Sequence, residues 1–274
     1  MLKLKFFDVQ LGNATLIQTD NTNILFDIGC NSTLDEHPLF SFEGNLDYLI
    51  ITHPHEDHIT GLVDIDSKRP RVFGRNGRIP LNLIEERIAS TDNESAIEAY
   101  EKYLELTADY KFPVNPLNDP ENPSYNGHLE IYSFAPSGNI KDLNYYSIAT
   151  ILKYECNTIL LMGDNTPSNI QELLEFEDFF NKTTDIDILL APHHGRDSSY
   201  SVEFLNHLNP QITIISDESG KDNVSASDKY GSKSRGYKVH KNNELIERKC
   251  LTTRNDGTIE AVINGGELEI YCEK

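Results

Sequence analysis

The sequence lacks the features of a membrane protein and of a disulfide-bonded secreted protein. No apolar run approaches the roughly 18 to 20 residues that a membrane-spanning helix requires. The N-terminus predicts a strand and has neither the long apolar segment nor the small-residue cleavage site of a signal peptide. The cysteines form no C-x-x-C pair, and they predict buried or free thiols in a reducing cytoplasm: Cys30, Cys156, Cys250 and Cys272.

Basic residues are scarce. The chain has 24 Lys and Arg against 44 Asp and Glu, so its formal net charge is -20. This balance disfavours sequence-independent binding to a nucleic-acid backbone, which depends on Lys and Arg neutralising phosphates. It favours an acidic surface that keeps a cytoplasmic protein soluble. Divalent metals would add positive charge locally, and a basic partner subunit could do the same, so nucleic acid stays open as a substrate.

Hydrophobic patterning divides the 274 residues into two series of strands, each followed by helices. No period of 20 to 50 residues is present, which excludes a solenoid or a propeller. The first series comprises strands at 2–9, 14–19, 23–28 and 46–52 and a helical stretch at about 81–112. The second comprises strands at 129–135, 147–154, 158–162, 187–191 and 211–216, helices at 169–181 (capped by Ser168) and 202–208, a polar loop at about 217–238, and strands at 250–253, 258–263 and 268–272. This order predicts an α/β fold in which two sheets pack face to face with helices outside.

The stretch from Thr52 to His58 contains the densest group of possible metal ligands in the sequence. It places three histidines and Asp57 directly after a hydrophobic strand. In an extended segment alternate side chains point the same way, so His53 and His55 can meet one ion. Asp57 and His58 then turn toward a neighbouring point that suits a second ion. A run of surface polar residues is the simpler alternative, but buried His and Asp are costly unless they are paired.

Two further constellations also follow apolar strands. Asp164 ends the segment Ile159–Asn165, where a carboxylate can bridge two cations about 3.5 to 4 Å apart; the alternative is a helix cap. His193 and His194 follow the strand at 187–191, and Gly195 permits a tight turn. One histidine of this pair would be a metal ligand and the other an acid, base or substrate contact.

These pieces together resemble the metallo-β-lactamase fold superfamily, and in particular the branch found in the C-terminal domain of ComEC-like DNA-uptake proteins. Further segments that resemble the patterns of that branch are Phe6–Ala14, Leu25–Gly29, Asn144–Ser147, Leu160–Asp164, Pro192–Arg196 and Thr253–Ile259. The resemblance covers nearly the whole chain. It implies a single domain over 1–274 with the four-layer αββα sandwich of that superfamily, a helical insertion at about 81–112 and a polar loop at about 217–238.

The resemblance also implies a ligand set and a reaction. His53 and His55 would bind one divalent ion, Asp57 and His58 a second, and Asp164 would bridge them. His193 is the predicted further metal ligand; Asp57 and His194 are the predicted catalytic residues. The expected cofactors are two ions, Zn²⁺ or Mn²⁺, with a single ion as the alternative. A metal-bound hydroxide would attack, and Asp57 would orient or deprotonate it.

The chain departs from the pattern of this branch at two places. Asn13 stands where the pattern has Asp, and Ser232 stands where a late histidine is expected in Tyr-Gly-His-Pro. His240 is a candidate replacement for that histidine. The remaining histidines, His37, His128 and His207, are expected to be structural. The absence of a histidine at position 232 favours a single bound metal ion or a weaker activity than the pattern of this branch implies.

The predicted function is metal-dependent hydrolysis by a phosphodiesterase or nuclease. The substrate would be a phosphodiester, either DNA or a small nucleotide, with a protein partner as an option and no membrane association. Two alternatives remain open at this point: a carbon-ester or lactone hydrolase, and a catalytically weak metal-binding subunit of a larger complex.

Overall fold

Two β-sheets pack face to face and carry helices on their outer sides. The computed structural model describes residues 1–10, 12–30, 37–115, 119, 122, 126–138, 142–218 and 225–274. Within these residues the first sheet contains β1 (Leu2–Phe6), β2 (Ala14–Gln18), β3 (Asn23–Ile28), β4 (Tyr48–Ile50), β5 (Val72–Gly74), β11 (Tyr237–Lys241), β12 (Glu244–Arg248), β14 (Ile259–Asn264) and β15 (Glu267–Cys272). The second contains β6 (Glu130–Phe134), β7 (Ala149–Tyr154), β8 (Asn157–Leu161), β9 (Ile188–Leu190), β10 (Ile212–Ile215) and β13 (Cys250–Thr252).

The strand orders are β12-β11-β15-β14-β1-β2-β3-β4-β5 and β13-β10-β9-β8-β7-β6. The helices are α1 (Glu56–Ile59), α2 (Leu81–Ser90), α3 (Glu94–Asp109), α4 (Pro167–Glu175), α5 (Glu177–Lys182), α6 (Val202–Leu208), α7 (Ser227–Lys233) and α8 (Thr253–Asp256). Short 3-10 helices occur at Pro38–Phe40, Thr60–Lys68, Leu143–Tyr146, Pro192–Gly195 and Asp197–Ser199. Among the described helices, none has the length and apolar character needed to cross a membrane.

Three buried hydrophobic clusters define the layers. Ile24 and Phe26 of β3 belong to the central cluster between the sheets, whereas Leu25 belongs to the cluster under α2 and α3. In β8, Leu161 belongs to the central cluster and Leu160 to the cluster under α4 to α6. Since successive strand residues point to opposite faces, strands buried on both sides read as continuous apolar runs. The predicted four-layer αββα sandwich is confirmed.

The single helix predicted at 169–181 is wrong, because the structure has two helices there. Helix α4 begins at Pro167 and its cap is Thr166, whose hydroxyl accepts from the Asn169 N–H; Ser168 is not the cap. Proline suits the first helical position because its missing N–H would have no partner there. At Phe176 the backbone is extended (φ -77°, ψ 110°), which ends α4 before α5 begins. The ring of Phe176 stacks on that of Phe134.

The polar loop predicted at about 217–238 is also partly wrong. Residues 219–224 lie outside the described residues, but 227–233 form α7 and β11 begins at Tyr237. Tyr230 explains the helix: it is 1% exposed and contacts the ring of Tyr200 edge-on. A single buried aromatic residue in a polar stretch gives almost no hydrophobic periodicity, so the pattern did not indicate a helix. The helical stretch predicted at 81–112 contains α2 and α3, and the single-domain assignment stays a prediction.

Adjacent phenylalanines of α5 provide a test of this packing. Phe179 is fully buried and contacts Phe134 edge-on, whereas Phe180 is 45% exposed. We expect Phe179→Ala to lower the free energy of unfolding by about 3–5 kcal/mol, because it leaves a cavity. Phe180→Ala should cost about 1 kcal/mol or less. Urea denaturation of both variants measures the difference, and equal losses would contradict the assigned orientation of α5.

Candidate metal centre

Three loops that follow buried strands meet at one edge of the sandwich. The loop after β4 carries residues 53–58, the loop after β8 carries Asp164, and the loop after β9 carries His193 and His194. Strand β4 lies in one sheet, and β8 and β9 lie in the other. The N–H of His193 donates to the carbonyl of Gly163 at 2.8 Å, which joins the second loop to the third. The centre therefore forms only when the two sheets are packed.

The buried carboxylate of Asp164 lies at the middle of the centre. Its Oδ1 is 3.2 Å from His58 Nε2 and 3.5 Å from His194 Nε2. Its Oδ2 is 3.9 Å from His53 Nε2 and 3.7 Å from His193 Nε2. Each carboxylate oxygen thus faces two imidazole nitrogens, an arrangement that suits a carboxylate shared by two cations.

The side chains form two groups of possible metal ligands. Within each group the donor atoms lie within 4.8 Å of one another. The groups are His53, His55 and Asp164, and Asp57, His58 and His194. Imidazole nitrogens together with carboxylate oxygens are donors that zinc, manganese and iron accept.

Four histidines of the centre have their outer nitrogen next to a polar protein group. The pairs are His53 Nδ1 and Thr52 Oγ1 at 3.1 Å, His58 Nδ1 and Asp27 Oδ2 at 2.7 Å, His193 Nδ1 and Ser199 Oγ at 3.3 Å, and His194 Nδ1 and the Ser216 carbonyl at 3.3 Å. An Nδ1–H that donates outward leaves the lone pair of Nε2 facing the centre. Such outer partners are what metal-binding histidines have in known sites.

His55 is oriented the other way round. Its Nδ1 is 2.9 Å from His53 Nε2, so Nδ1 is the nitrogen that faces the centre. Its Nε2 points outward, 3.7 Å from Asp142 Oδ1 and 3.3 Å from an Nη of Arg87. Asp142 thus lies near the outer nitrogen of His55 but makes no hydrogen bond to it, unlike Asp27, which is 2.7 Å from His58 Nδ1.

Two buried nitrogens show that the residues fit a bound cation. His58 Nε2 and His194 Nε2 are inaccessible to solvent and make no hydrogen bond. A buried polar atom left without a partner costs about 1–3 kcal/mol. Because both atoms face the oxygens of Asp164 and Asp57, a divalent cation would satisfy them together.

Burial and mutual charge set the protonation of the cluster. The pKa of His53 is lowered well below its usual value by burial, and the neighbouring His58 lowers it further. Burial also lowers the pKa of His58, but Asp164, Asp27 and Asp57 outweigh it and raise that pKa overall. For Asp164, burial raises the pKa, but His194 and His58 bring it well below the usual value. The carboxylate is therefore ionised.

The turn at His193–Gly195 has an unusual backbone. His193, His194 and Gly195 have positive φ values of 51°, 53° and 64°. Non-glycine residues adopt this left-handed conformation at a cost of order 1–3 kcal/mol, and such residues cluster at functional sites. The turn lets two adjacent side chains reach the two different oxygens of Asp164.

Glycines allow the surrounding loops to approach closely. A Cβ at Gly29 would lie 2.2 Å from the carbonyl oxygen of Asp57, which also accepts from the N–H of Asn13 at 3.1 Å. A Cβ at Gly163 (φ 51°) would lie 2.5 Å from the hydroxyl of Ser147, which accepts from the Asp164 N–H at 2.8 Å. These contacts position Asp57 and Asp164.

Residues 8–79 match the family model of the metallo-beta-lactamase superfamily. This segment contains the first histidine loop and the strands that support it. Over this segment the chain is similar to the metallo-β-lactamase superfamily. This similarity agrees with the αββα sandwich and with the two groups of ligand residues.

More distant similarities were found to three proteins. An uncharacterized protein of Methanocaldococcus jannaschii is 47% identical over 60 residues, which cover 21% of this chain and 23% of that one. A zinc phosphodiesterase ELAC protein 2 homolog of Caenorhabditis elegans is 28% identical over 116 residues, 38% of this chain and 14% of that protein. The matches thus span under a quarter of either relative's length. The metallo-β-lactamase fold protein YhfI of Bacillus subtilis aligns at a TM-score of 0.43 and 12% identity over 80% of this chain and 87% of that one.

The structure brings together the seven site residues that the sequence indicated: His53, His55, Asp57, His58, Asp164, His193 and His194. It places His194 beside Asp57 and His58 as a possible ligand, and His193 beside Asp164. The prediction that His193 binds metal while His194 is catalytic stays a prediction. The structure adds residues that the sequence reading did not assign: Asp27, Thr52, Asp142 and Ser216.

The other four histidines lie outside the two ligand groups. His37 caps a 3-10 helix, and His207 stacks on Phe180. His128 is exposed. His240 is in β11, where its ring stacks on Tyr271. Ser232 is an exposed residue of α7, and its hydroxyl donates to the Lys229 carbonyl.

Asp27 should control metal affinity although it is no ligand. Its carboxylate accepts from the Thr52 N–H at 2.7 Å and the Asn13 amide at 3.1 Å, besides contacting His58. We expect Asp27→Asn to weaken metal binding roughly 10- to 100-fold, because the orientation of His58 is lost. Competition with a chelating dye measures the affinity. Asp47→Asn is the control, since Asp47 is another buried carboxylate but pairs with Arg71. Equal affinities in the two variants would contradict the role of Asp27.

Proposed function

We propose that this protein is a phosphodiester hydrolase that uses two divalent cations. The observation that carries the proposal is the carboxylate of Asp164, each oxygen of which faces two histidine nitrogens. Two cations held there would supply Lewis-acid charge next to the phosphoryl oxygens. The ligands of one cation would be His53, His55 and His193, and those of the other Asp57, His58 and His194.

Asp57 is the residue best placed to act on the attacking water. Its side chain is 27% exposed, whereas those of Asp164 and His194 are buried. Burial raises the pKa of Asp57, but His58 and His194 outweigh that effect and bring the pKa below its usual value. An ionised carboxylate of low basicity accepts a hydrogen bond and so orients a water; it is a weak base. Asp57 would therefore position the nucleophile, and His194, buried beside it, would be a ligand.

The relative with a named activity supports phosphodiester chemistry. It is called a zinc phosphodiesterase, and the match covers 38% of this chain. The likeness of the motifs to the ComEC-like branch favours the same bond type. The net charge of -20 favours a small nucleotide-like diester over a long nucleic acid, whose phosphates would be repelled.

Turnover of bis-p-nitrophenyl phosphate with added Mn²⁺ or Zn²⁺ tests the proposal. We expect Asp164→Asn and Asp57→Ala to lower kcat/KM at least about 100-fold, because each removes a group that positions charge at the reacting centre. His240→Ala, remote from the ligand groups in β11, should leave the rate unchanged. Circular dichroism checks that each variant is folded.

Two results would contradict the proposed phosphodiester hydrolysis. If the metal-loaded protein cleaved p-nitrophenyl acetate or a lactone and no diester, it would be a carbon-ester hydrolase. If it bound metal and cleaved none of these substrates, it would be a metal-stabilised binding subunit.

A further inference from the structure

The arginines of the described residues divide into two classes. Most pair with carboxylates or backbone carbonyls: Arg69, Arg71, Arg75, Arg78, Arg235, Arg248 and Arg254. Arg87 and Arg196 form the second class, because within the described ranges their side chains have no such partner. Both lie beside histidines of the metal centre. In a chain with 44 acidic residues, two arginines without an acidic partner among the described residues, each next to a histidine of the centre, are candidates for binding an anion.

Arg87 is held over the centre by the two inserted helices. It is exposed on α2, and one Nη lies 3.3 Å from His55 Nε2. Helix α3 is attached to the metal loop at Glu56, whose carboxylate accepts from Asn93 at 2.6 Å and whose backbone is hydrogen-bonded to the Tyr100 hydroxyl. Ile84 of α2 is fully buried. The position of Arg87 is therefore built into the fold.

The contact between Arg87 and His55 does not satisfy the guanidinium. His55 Nδ1 faces the centre, so a ligand role for Nδ1 leaves the proton on Nε2. A protonated Nε2 cannot accept from Arg87, and the Asp142 carboxylate lies 3.7 Å from it. All the N–H groups of Arg87 are then available to an anion.

Arg196 lies directly after the strained turn at His193–Gly195. Its backbone N–H donates to the His193 carbonyl at 3.0 Å, which anchors the residue to the turn. Its side-chain Nε is buried and makes no hydrogen bond. Arg196 is thus held next to His193 through its backbone, and its buried Nε has no hydrogen-bond partner among the described residues.

We propose that Arg87 and Arg196 form an anion clamp that binds the non-bridging oxygens of the substrate and makes the protein selective for anionic over neutral esters. The planar guanidinium matches a phosphate group with paired N–H donors. His55 and His193 are the partly exposed histidines of the centre; Arg87 contacts the first, and Arg196 is hydrogen-bonded through its backbone to the second. The choice of a phosphodiester rests on the proposed function; anion binding by the two arginines does not depend on turnover.

Binding of inorganic phosphate to the metal-loaded protein tests the clamp by isothermal titration calorimetry. We expect Arg87→Gln and Arg196→Gln each to weaken binding roughly tenfold, because a charge-assisted hydrogen bond is lost. Arg87→Lys should recover part of the loss. Lys111→Gln, an exposed change of equal charge, should have no effect. Because the Arg196 side chain is partly buried, Arg196→Lys provides a second variant, and thermal unfolding confirms that each protein is folded.

Turnover separates the clamp from the proposed function. With bis-p-nitrophenyl phosphate the arginine variants should show a higher KM and a smaller change in kcat, and any hydrolysis of p-nitrophenyl acetate should be unchanged. If phosphate binding weakens in the variants but no diester is cleaved, the clamp stands and the proposed function fails. If diesters are cleaved and phosphate affinity is the same in wild type and in both glutamine variants, the clamp is overturned. If only one of the two glutamine variants binds phosphate more weakly than wild type, the two-residue clamp is overturned.

Discussion

The buried carboxylate of Asp164 is the constraint on which the rest of the metal centre depends. The carboxylate of Asp164 is almost inaccessible to solvent and is ionised. Burying an isolated carboxylate costs several kcal/mol, so the surrounding chain must compensate it. Here the compensation comes from four imidazole nitrogens and from the anchoring of its backbone by Ser147. A cation shared with Asp57 would complete it, since His58 and His194 each have a buried nitrogen without a hydrogen bond.

The groups that hold these histidines come from both sheets. Asp27 lies in β3 and Thr52 follows β4, both in the first sheet, whereas Ser216 follows β10 of the second. The hydroxyl of Ser216 donates to the Gly12 carbonyl at 2.6 Å, and this bond crosses from one sheet to the other. Metal affinity and sandwich packing are therefore coupled: a change that separates the sheets also separates the ligands. This coupling explains why binding free energy at such a site contributes to folding.

Local patterns predicted much of this molecule, and tertiary contacts account for the rest. The histidine loop, Asp164 and the His193–His194 pair could be read from sequence because each directly follows an apolar strand. Asp27 could not be assigned, because it lies 31 positions before His58 and only sheet packing brings the two together. His193 and His194 face different oxygens of Asp164 because their backbone is left-handed. Residue type does not specify these backbone angles, so the sequence could not predict this arrangement. The hairpin β11–β12 is polar and partly exposed, so its strands show no clear apolar alternation.

The two inserted helices connect stability with selectivity. Their buried side, including Tyr100 and Tyr103, packs on the cluster that also contains Ile59 of the metal loop. Their exposed side presents Arg87 to the mouth of the centre. An acidic protein repels anionic substrates at long range, but this repulsion is screened beyond about 10 Å in ordinary salt. At contact distance the nearest charges determine the electrostatic energy of a bound anion. There, two guanidinium groups and any bound cations would outweigh the distant carboxylates. A strongly negative chain can thus bind a small anionic ester while excluding long polyanions, whose many phosphates would remain over the acidic surface.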